Sequence, residues 1–264
     1  MAIEDPAYRL ISQEEFLAKA AADRTFRGLL LPPDLALDEC DLTESRFDRC
    51  LFQVPMIRGA DFSGSEFTDC RFAPTRFAGC KFAKTRFHGC SLFDVGKKQG
   101  CIFAFCDIHA AGMTKCNFST SSFERCDLYD FSAVESGFRG AQFHRSTFTK
   151  TISRRSMLTK ASFDKCNLSF ADLSGLYLQS CEFLSCRFSE TSFIDTDLSH
   201  ATMLACDLDR ADWDRAKLRK ADLRGSTLSG LNLAVLSDYA GLRISESEQS
   251  EILRQLGVEV HASS

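Results

Sequence analysis

Large apolar side chains recur at every fifth position along most of this chain. They stand at Leu42, Phe47, Phe52, Ile57, Phe62, Phe67, Phe72, Phe77, Phe82, Phe87 and Leu92. The series then skips one residue and resumes at Phe103. It continues through Ile108, Met113, Phe118, Phe123, Leu128, Phe138, Phe143, Phe148, Leu158, Phe163, Leu168, Leu173, Leu178, Phe183, Phe188, Phe193, Leu198, Met203, Leu208, Trp213, Leu218, Leu223, Leu228 and Leu233, interrupted at Ala133 and Ser153. Two residues before each large centre the chain is nearly always small, as at Cys40, Ser45, Cys50, Ala60, Ser65, Cys70, Ala201, Cys206, Ala211, Ala216 and Ala221.

A five-residue step advances an α-helix about 140° beyond a full turn, so the large residues would scatter around the cylinder. On a straight strand an odd period sends alternate centres to opposite faces. The chain must therefore bend once per repeat. Strand alternation lets the centre and the small residue two before it point inward, while the other three face outward or make a corner. The prediction is a coil that keeps turning around an apolar axis, with a packed interior. On this assignment Phe82→Asp or Phe143→Asp yields insoluble protein and Lys84→Ala is tolerated.

The period accounts for 18 of the 24 phenylalanines and changes the meaning of the 13 cysteines. Every cysteine occupies the small slot, and no C-x₂-C spacing occurs, so neither a disulfide framework nor a zinc site is expected; cysteine serves as a small buried hydrophobe. With 32 basic and 36 acidic residues the formal charge is −4, which excludes a polybasic coat for nucleic acid or anionic lipid. No basic n-region with an apolar h-region opens the sequence, and no long apolar window follows, so a cytoplasmic protein is expected. His88, His109 and His144 follow a centre by one residue and His200 by two, all outward or corner slots. There is no H-E-x-x-H, G-x-S-x-G or Gly-rich phosphate loop, so neither an enzyme nor a cofactor is expected.

Copies such as Ala60-Asp61-Phe62, Ala171-Asp172-Leu173, Ala211-Asp212-Trp213 and Ala221-Asp222-Leu223 resemble the A(D/N)LXX consensus of the pentapeptide-repeat family. The resemblance covers residues 40–233. It implies an all-β fold, a right-handed quadrilateral β-helix with four pentapeptides per coil. Eleven centres in the first phase and twenty-seven in the second give about nine and a half coils, a rod roughly 45 Å long. The expected organisation is an N-terminal extension with a short helix (1–37), the β-helix (38–233) and a C-terminal capping and dimerisation segment (234–264).

The phase slip lies within residues 92–103, where eleven residues separate two centres and ten would fit. One extra residue with two glycines and two lysines reads either as a tolerated bulge or as a contact loop. In 149–157 the centre Ser153 is polar while the phase is kept, which reads as a second, basic loop. Bulky Phe131, Leu176 and Leu231 in the small slot, and Pro55, mark local distortions. At the ends, Ser12 with Glu15 forms a capping-box pattern before a helix over 14–23, and Ser245 with Glu248 forms another before the stripe Ile252, Leu253 and Leu256. Gly257 reads as the helix stop, and Val258 and Val260 as a short strand.

Within that family the chain looks most like the quinolone-resistance (Qnr) group and its gyrase-protecting relatives. The similarity rests on the slip ending in Lys98-Gln99-Gly100-Cys101, the stretch with Ile152 and Arg155, Asn167-Leu168-Ser169-Phe170-Ala171, and the tail Leu253-Arg254-Gln255-Leu256-Gly257-Val258. The long N-terminal extension and residues 240–246 depart from the group. The resemblance implies a homodimer joined through Ile252, Leu253, Leu256, Val258 and Val260. It also implies a DNA-mimicking rod that binds DNA gyrase or topoisomerase IV, without binding nucleic acid itself. The expected contact loops are Phe93, Asp94, Val95, Gly96, Lys97, Lys98, Gln99 and Gly100 in the first, and Ile152, Arg154 and Arg155 in the second. Residues 38–233 carry 26 basic and 25 acidic side chains, a poor duplex mimic as a whole. A window does better: Asp172, Glu182, Glu190, Asp195, Asp197, Asp207, Asp209, Asp212 and Asp214 face only Arg187 and Arg210. The competing reading is that aspartate simply suits the slot before the centre. A generic scaffold for an unrelated protein is the alternative function.

Overall fold

The computed structural model describes residues 8–153, 156–259 and 261. The chain winds as a right-handed β-solenoid of about ten turns with two short helices, α1 (Gln13–Ala21) and α2 (Gln249–Gln255). Corresponding residues of neighbouring coils lie mostly twenty apart and pair in parallel register, as in Phe47↔Phe67↔Phe87. The first side of the rod is a nine-stranded parallel sheet, from Thr25–Arg27 to Thr202–Leu204. The second side carries the centres Phe52, Phe72, Leu92, Phe118, Phe138, Leu168, Phe188, Leu208 and Leu228. The third carries Ile57, Phe77, Phe103, Phe123, Phe143, Leu173, Phe193 and Trp213, and the fourth Leu42, Phe62, Phe82, Ile108, Leu128, Phe148, Leu178, Leu198 and Leu218.

Every one of these centres is buried, and they stack in columns along the axis. Phe26, Phe47, Phe67 and Phe87 lie ring over ring at 4.7 Å per step, and Phe103, Phe123 and Phe143 at 5.1 and 4.8 Å. These are the coil spacing and an offset-stacked ring spacing at once, so backbone pairing and aromatic packing favour the same geometry. The residue two after the centre turns the corner in the left-handed region, at Arg49, Lys84, Arg145 and Lys220 among many others. Phe131 and Ala133 exchange roles: the ring fills the small slot and the alanine the centre, which preserves core volume.

The small slot does more than fit. The Cys70 thiol donates to the Phe47 carbonyl at 3.4 Å, Cys90 to Phe67 at 3.3 Å and Cys206 to Phe183 at 3.4 Å. Thr85 and Thr196 make the same bond to Phe62 and Leu173 at 2.8 Å, and Ser226 to Met203 at 2.7 Å. Each slot side chain thus ties its coil to a centre 23 residues earlier, so cysteine acts here as a weak buried donor as well as a hydrophobe. All 13 cysteines are unpaired, and burial pushes the Cys101 and Cys181 thiols up to about 12. Cys206→Ser should therefore leave the melting temperature nearly unchanged, whereas Cys206→Val, branched and without a donor, should lower it by several degrees.

Two expectations are corrected at the interruptions. Phe77 pairs with Phe103, 26 residues on, so the insertion after Leu92 is six residues, not one. Ala133 pairs with Phe163, 30 residues on, so ten residues are inserted after Phe148. Ser153 and Leu158 are therefore not coil centres; both are exposed, Leu158 at 48%. Ten is a multiple of five, which is why the phase survived and hid the excursion.

The coil also begins before residue 38. Thr25–Arg27 and Leu29–Leu31 pair in parallel with the next coil, and Phe26, Leu31 and Leu37 are buried. Ser12 caps α1 by accepting from the Glu15 amide at 3.2 Å, while the Glu15 carboxylate turns to Arg9 instead of closing a capping box. Phe16 on α1 stacks on Phe26 at 4.9 Å and closes that end of the core. At the other end Ser245 and Glu248 do not form a reciprocal box. Ser245 Oγ accepts from the Gly225 amide at 2.7 Å and Glu248 Oε2 from the Leu228 amide at 3.1 Å. A coil edge with no successor leaves its amides unpaired, and these side chains satisfy two of them.

Candidate functional site

Two hairpins leave the rod. The first pairs Phe93–Asp94 with Gln99–Gly100, and its turn is held by Asp94 Oδ1 accepting from the Lys97 amide at 3.0 Å. Val95 is 78% exposed, and Gly96, Lys97, Lys98 and Gln99 are exposed with it. Gly100 is buried where the hairpin rejoins the coil. Beneath the hairpin runs an open groove of about 570 Å³, lined by Leu51, Gln53, Arg71, Ala73, Phe93 and Val95. The second hairpin pairs Thr149–Ser153 with Ser156–Thr159 and exposes Ile152, Met157 and Leu158. Lys150 lies over the Tyr129 ring at 5.7 Å. Arg154 and Arg155, expected as contacts, lie outside the described residues.

The acidic window is spread around the rod. Asp207 and Asp209 are on the second side; Asp172, Asp212 and Asp214 are on the third; Glu190 and Asp195 sit at the corners; Glu182 and Asp197 are on the first and fourth sides. Much of its charge is engaged within the chain. Asp172, Asp197, Asp207 and Asp212 each accept the amide two residues ahead, at 3.0–3.1 Å, closing an Asx turn at the repeat. Glu190 pairs with Arg210, and Asp195 and Asp214 both pair with Arg215. One oxygen of Asp209 is buried without a partner among the described residues.

Several of these pairs depress carboxyl titration. The Arg24 guanidinium with the Thr43 hydroxyl and amide holds Asp41 at about 2, below an ordinary value of 3.8; Arg215 lowers Asp195 and Arg224 lowers Asp222. A folded-state value below the unfolded one gives stability that is complete above about pH 4 and lost as the pH falls towards 2. The thermal midpoint should be flat from about pH 8 to 5 and drop below about 4; a fall beginning near pH 6 would contradict this.

At the C-terminal end, Ile252 is 5% exposed and packs into the core, so it is not available to a second copy. Leu253 is half-buried, and Leu256 and Val258 are exposed. Val258 is not in a strand, and Val260 lies outside the described residues. No helix among the described residues is long and apolar enough to cross a membrane, and no cluster of metal-ligating side chains occurs among them.

A family model described as pentapeptide repeats in eight copies matches residues 57–94, and one described as a pentapeptide repeat region matches 156–233. No curated protein sequence matches the chain. Among solved structures, a trypsin-treated, singly substituted form of QnrB1, a plasmid-mediated fluoroquinolone resistance protein, is 22% identical with a TM-score of 0.68. The match covers 80% of this chain and 99% of that one. Full-length QnrB1 is 23% identical with a TM-score of 0.64, covering 89% of this chain and all of the other. HetL, involved in heterocyst differentiation regulation in the cyanobacterium Nostoc, is 18% identical with a TM-score of 0.55, covering 87% and 93%. The chain thus carries pentapeptide repeats over residues 57–94 and 156–233 and winds them into the same coil as these structures.

Proposed function

We propose that this chain is a non-enzymatic, cytoplasmic protein that binds DNA gyrase or topoisomerase IV and protects it from quinolones or other gyrase poisons. The observation that carries the reading is a continuous four-sided rod with two projecting hairpins, in a fold shared along the whole length of a fluoroquinolone resistance protein. In this reading the rod occupies the enzyme's DNA-binding groove, and the exposed Val95, Ile152, Met157 and Leu158 supply apolar contacts that a DNA duplex lacks. Leu253, Leu256 and Val258 join two copies end to end. A second reading, a scaffold for an unrelated protein, is favoured by the acidic side chains spent on Asx turns and internal ion pairs, and by the same coil in HetL.

The discriminating measurement is gyrase supercoiling in the presence of a fluoroquinolone and rising amounts of this protein. Restored supercoiling and fewer cleaved plasmids are expected, and both should be lost on replacing the first or second hairpin by a two-residue turn. A folded protein that neither protects nor inhibits gyrase would leave the scaffold reading.

A further inference from the structure

The second side of the rod differs from the other three between Leu92 and Phe188. Its outward positions there are Ser91, Phe93, Asn117, Ser119, Gly137, Arg139, Asn167, Ser169, Arg187 and Ser189, with no carboxylate among them. In about a third of the repeats the residue before the centre closes an Asx turn, and on the other sides of the rod that residue is aspartate, as at Asp41, Asp61, Asp107, Asp127, Asp172 and Asp197. On this side it is Asn117 and Asn167; a third asparagine, Asn232, stands in the last coil. Asparagine closes the turn equally well, through Oδ1 to the Ser119 and Ser169 amides at 3.0 and 3.1 Å. It brings no charge, and it leaves an amide NH₂ without a partner among the described residues. Gly137 stands between the two, so they form no asparagine ladder that would account for the choice.

Cations complete the strip. The exposed Arg139 and Arg187 have no carboxylate within salt-bridge distance among the described residues, and neither has Lys165 at the adjoining corner. Of the acids at its edges, Glu135 pairs with Lys115, Glu190 pairs with Arg210, and Asp94 in the first hairpin accepts from the Lys97 amide. Arg139 is held 4.4 Å above the ring of Phe170. That phenylalanine is 45% exposed in a left-handed corner position, φ 62°, where an aromatic side chain is strained and contributes nothing to the core.

We infer that this strip binds the sugar-phosphate backbone of a nucleic acid. Arginine, lysine, asparagine and serine donors are those that contact phosphate oxygens. The donors recur on coils about 4.8 Å apart, so Arg139 and Arg187, two coils from each other, lie roughly 10 Å apart along the axis. From Asn117 to Ser189 its outward side chains are polar, with the corner Phe170 exposed beside them, and the groove that could anchor a protein partner lies only at its end, under the first hairpin. The Asp207 and Asp209 coil ends it on one side, and the lysines of the first hairpin adjoin it on the other. A balanced net charge therefore conceals a local carboxylate-free surface, and the inference is independent of gyrase binding.

The test is fluorescence anisotropy of a labelled DNA duplex of about 20 base pairs with the full chain. Three phosphate contacts predict that affinity falls about 40-fold between about 50 and 200 mM salt. N117D/N167D keeps both turns, since aspartate serves them elsewhere, and should weaken binding more than about tenfold with an unchanged melting curve. R139E/R187E should do the same, while Lys84→Glu, at the corner between the fourth and first sides, should not. No binding at low salt, or wild-type binding by N117D/N167D, would overturn the inference. So would equal competition by poly-glutamate, which would assign the strip to an acidic protein.

Discussion

Phe82→Ala is expected to lower the unfolding free energy by about 3–5 kcal/mol, and Phe82→Asp to leave no soluble protein. Phe82 is 1% exposed, stacks on Phe62 at 5.0 Å, and meets Phe77 and Phe103 edge-on at 5.3 and 5.6 Å. Truncation therefore opens a cavity bordered by rings of the third and fourth sides, and a carboxylate there would be buried among aromatic rings. In a solenoid each coil is supported only by its neighbours, so the loss is concentrated on one interface instead of being shared across a globule. Urea denaturation measures the first variant, and the soluble fraction after expression measures the second. Lys84→Ala, two residues on and exposed, is the control; comparable losses in both would reverse the assignment of inside and outside.

Gly100→Ala is expected to be the most damaging single-methyl change in the rod. Its φ is not in the left-handed region, so the requirement is space: a Cβ would stand 2.5 Å from the Ser119 carbonyl oxygen and 2.6 Å from the Ser121 nitrogen. Both are backbone atoms of the next coil, which cannot turn aside as a side chain can. The coil must shift or the first hairpin must peel away at its root. A loss of about 2–4 kcal/mol is expected, of the order seen for overpacking. Gly140→Ala is the comparison, with a positive φ of 66° but only Thr120 Cγ2 nearby, at 3.7 Å. Similar melting temperatures for Gly100→Ala and the unaltered chain would show that the junction is looser than its close approach indicates.

The five-residue period alone established the coil, its inward residues and the structural role of the cysteines. The reason is local: centre and small slot must alternate inward on every short strand, so each repeat declares itself without reference to the rest. The first coil was legible in principle, since Phe26, Leu31, Leu37 and Leu42 keep nearly the same step, but the extra residue at Pro32-Pro33 breaks the count. The length of the insertions was not legible. A ten-residue excursion preserves a five-residue phase, and only the pairing of Ala133 with Phe163 shows that Leu158 has left the core.

Tertiary structure also decided what the charges do. In sequence, Asp195 and Arg215 are twenty residues apart; in the coil they are one step apart and form an ion pair, so a window that counts as acidic is partly neutralised. By the same stacking, Asn117, Arg139, Asn167 and Arg187 come onto one side with no carboxylate between them. Ser245 and Glu248, a capping pattern by spacing, cap the amides of an earlier coil instead. Inward residues obey a rule carried by every pentapeptide, whereas outward residues acquire neighbours only when coils twenty or more residues apart are stacked.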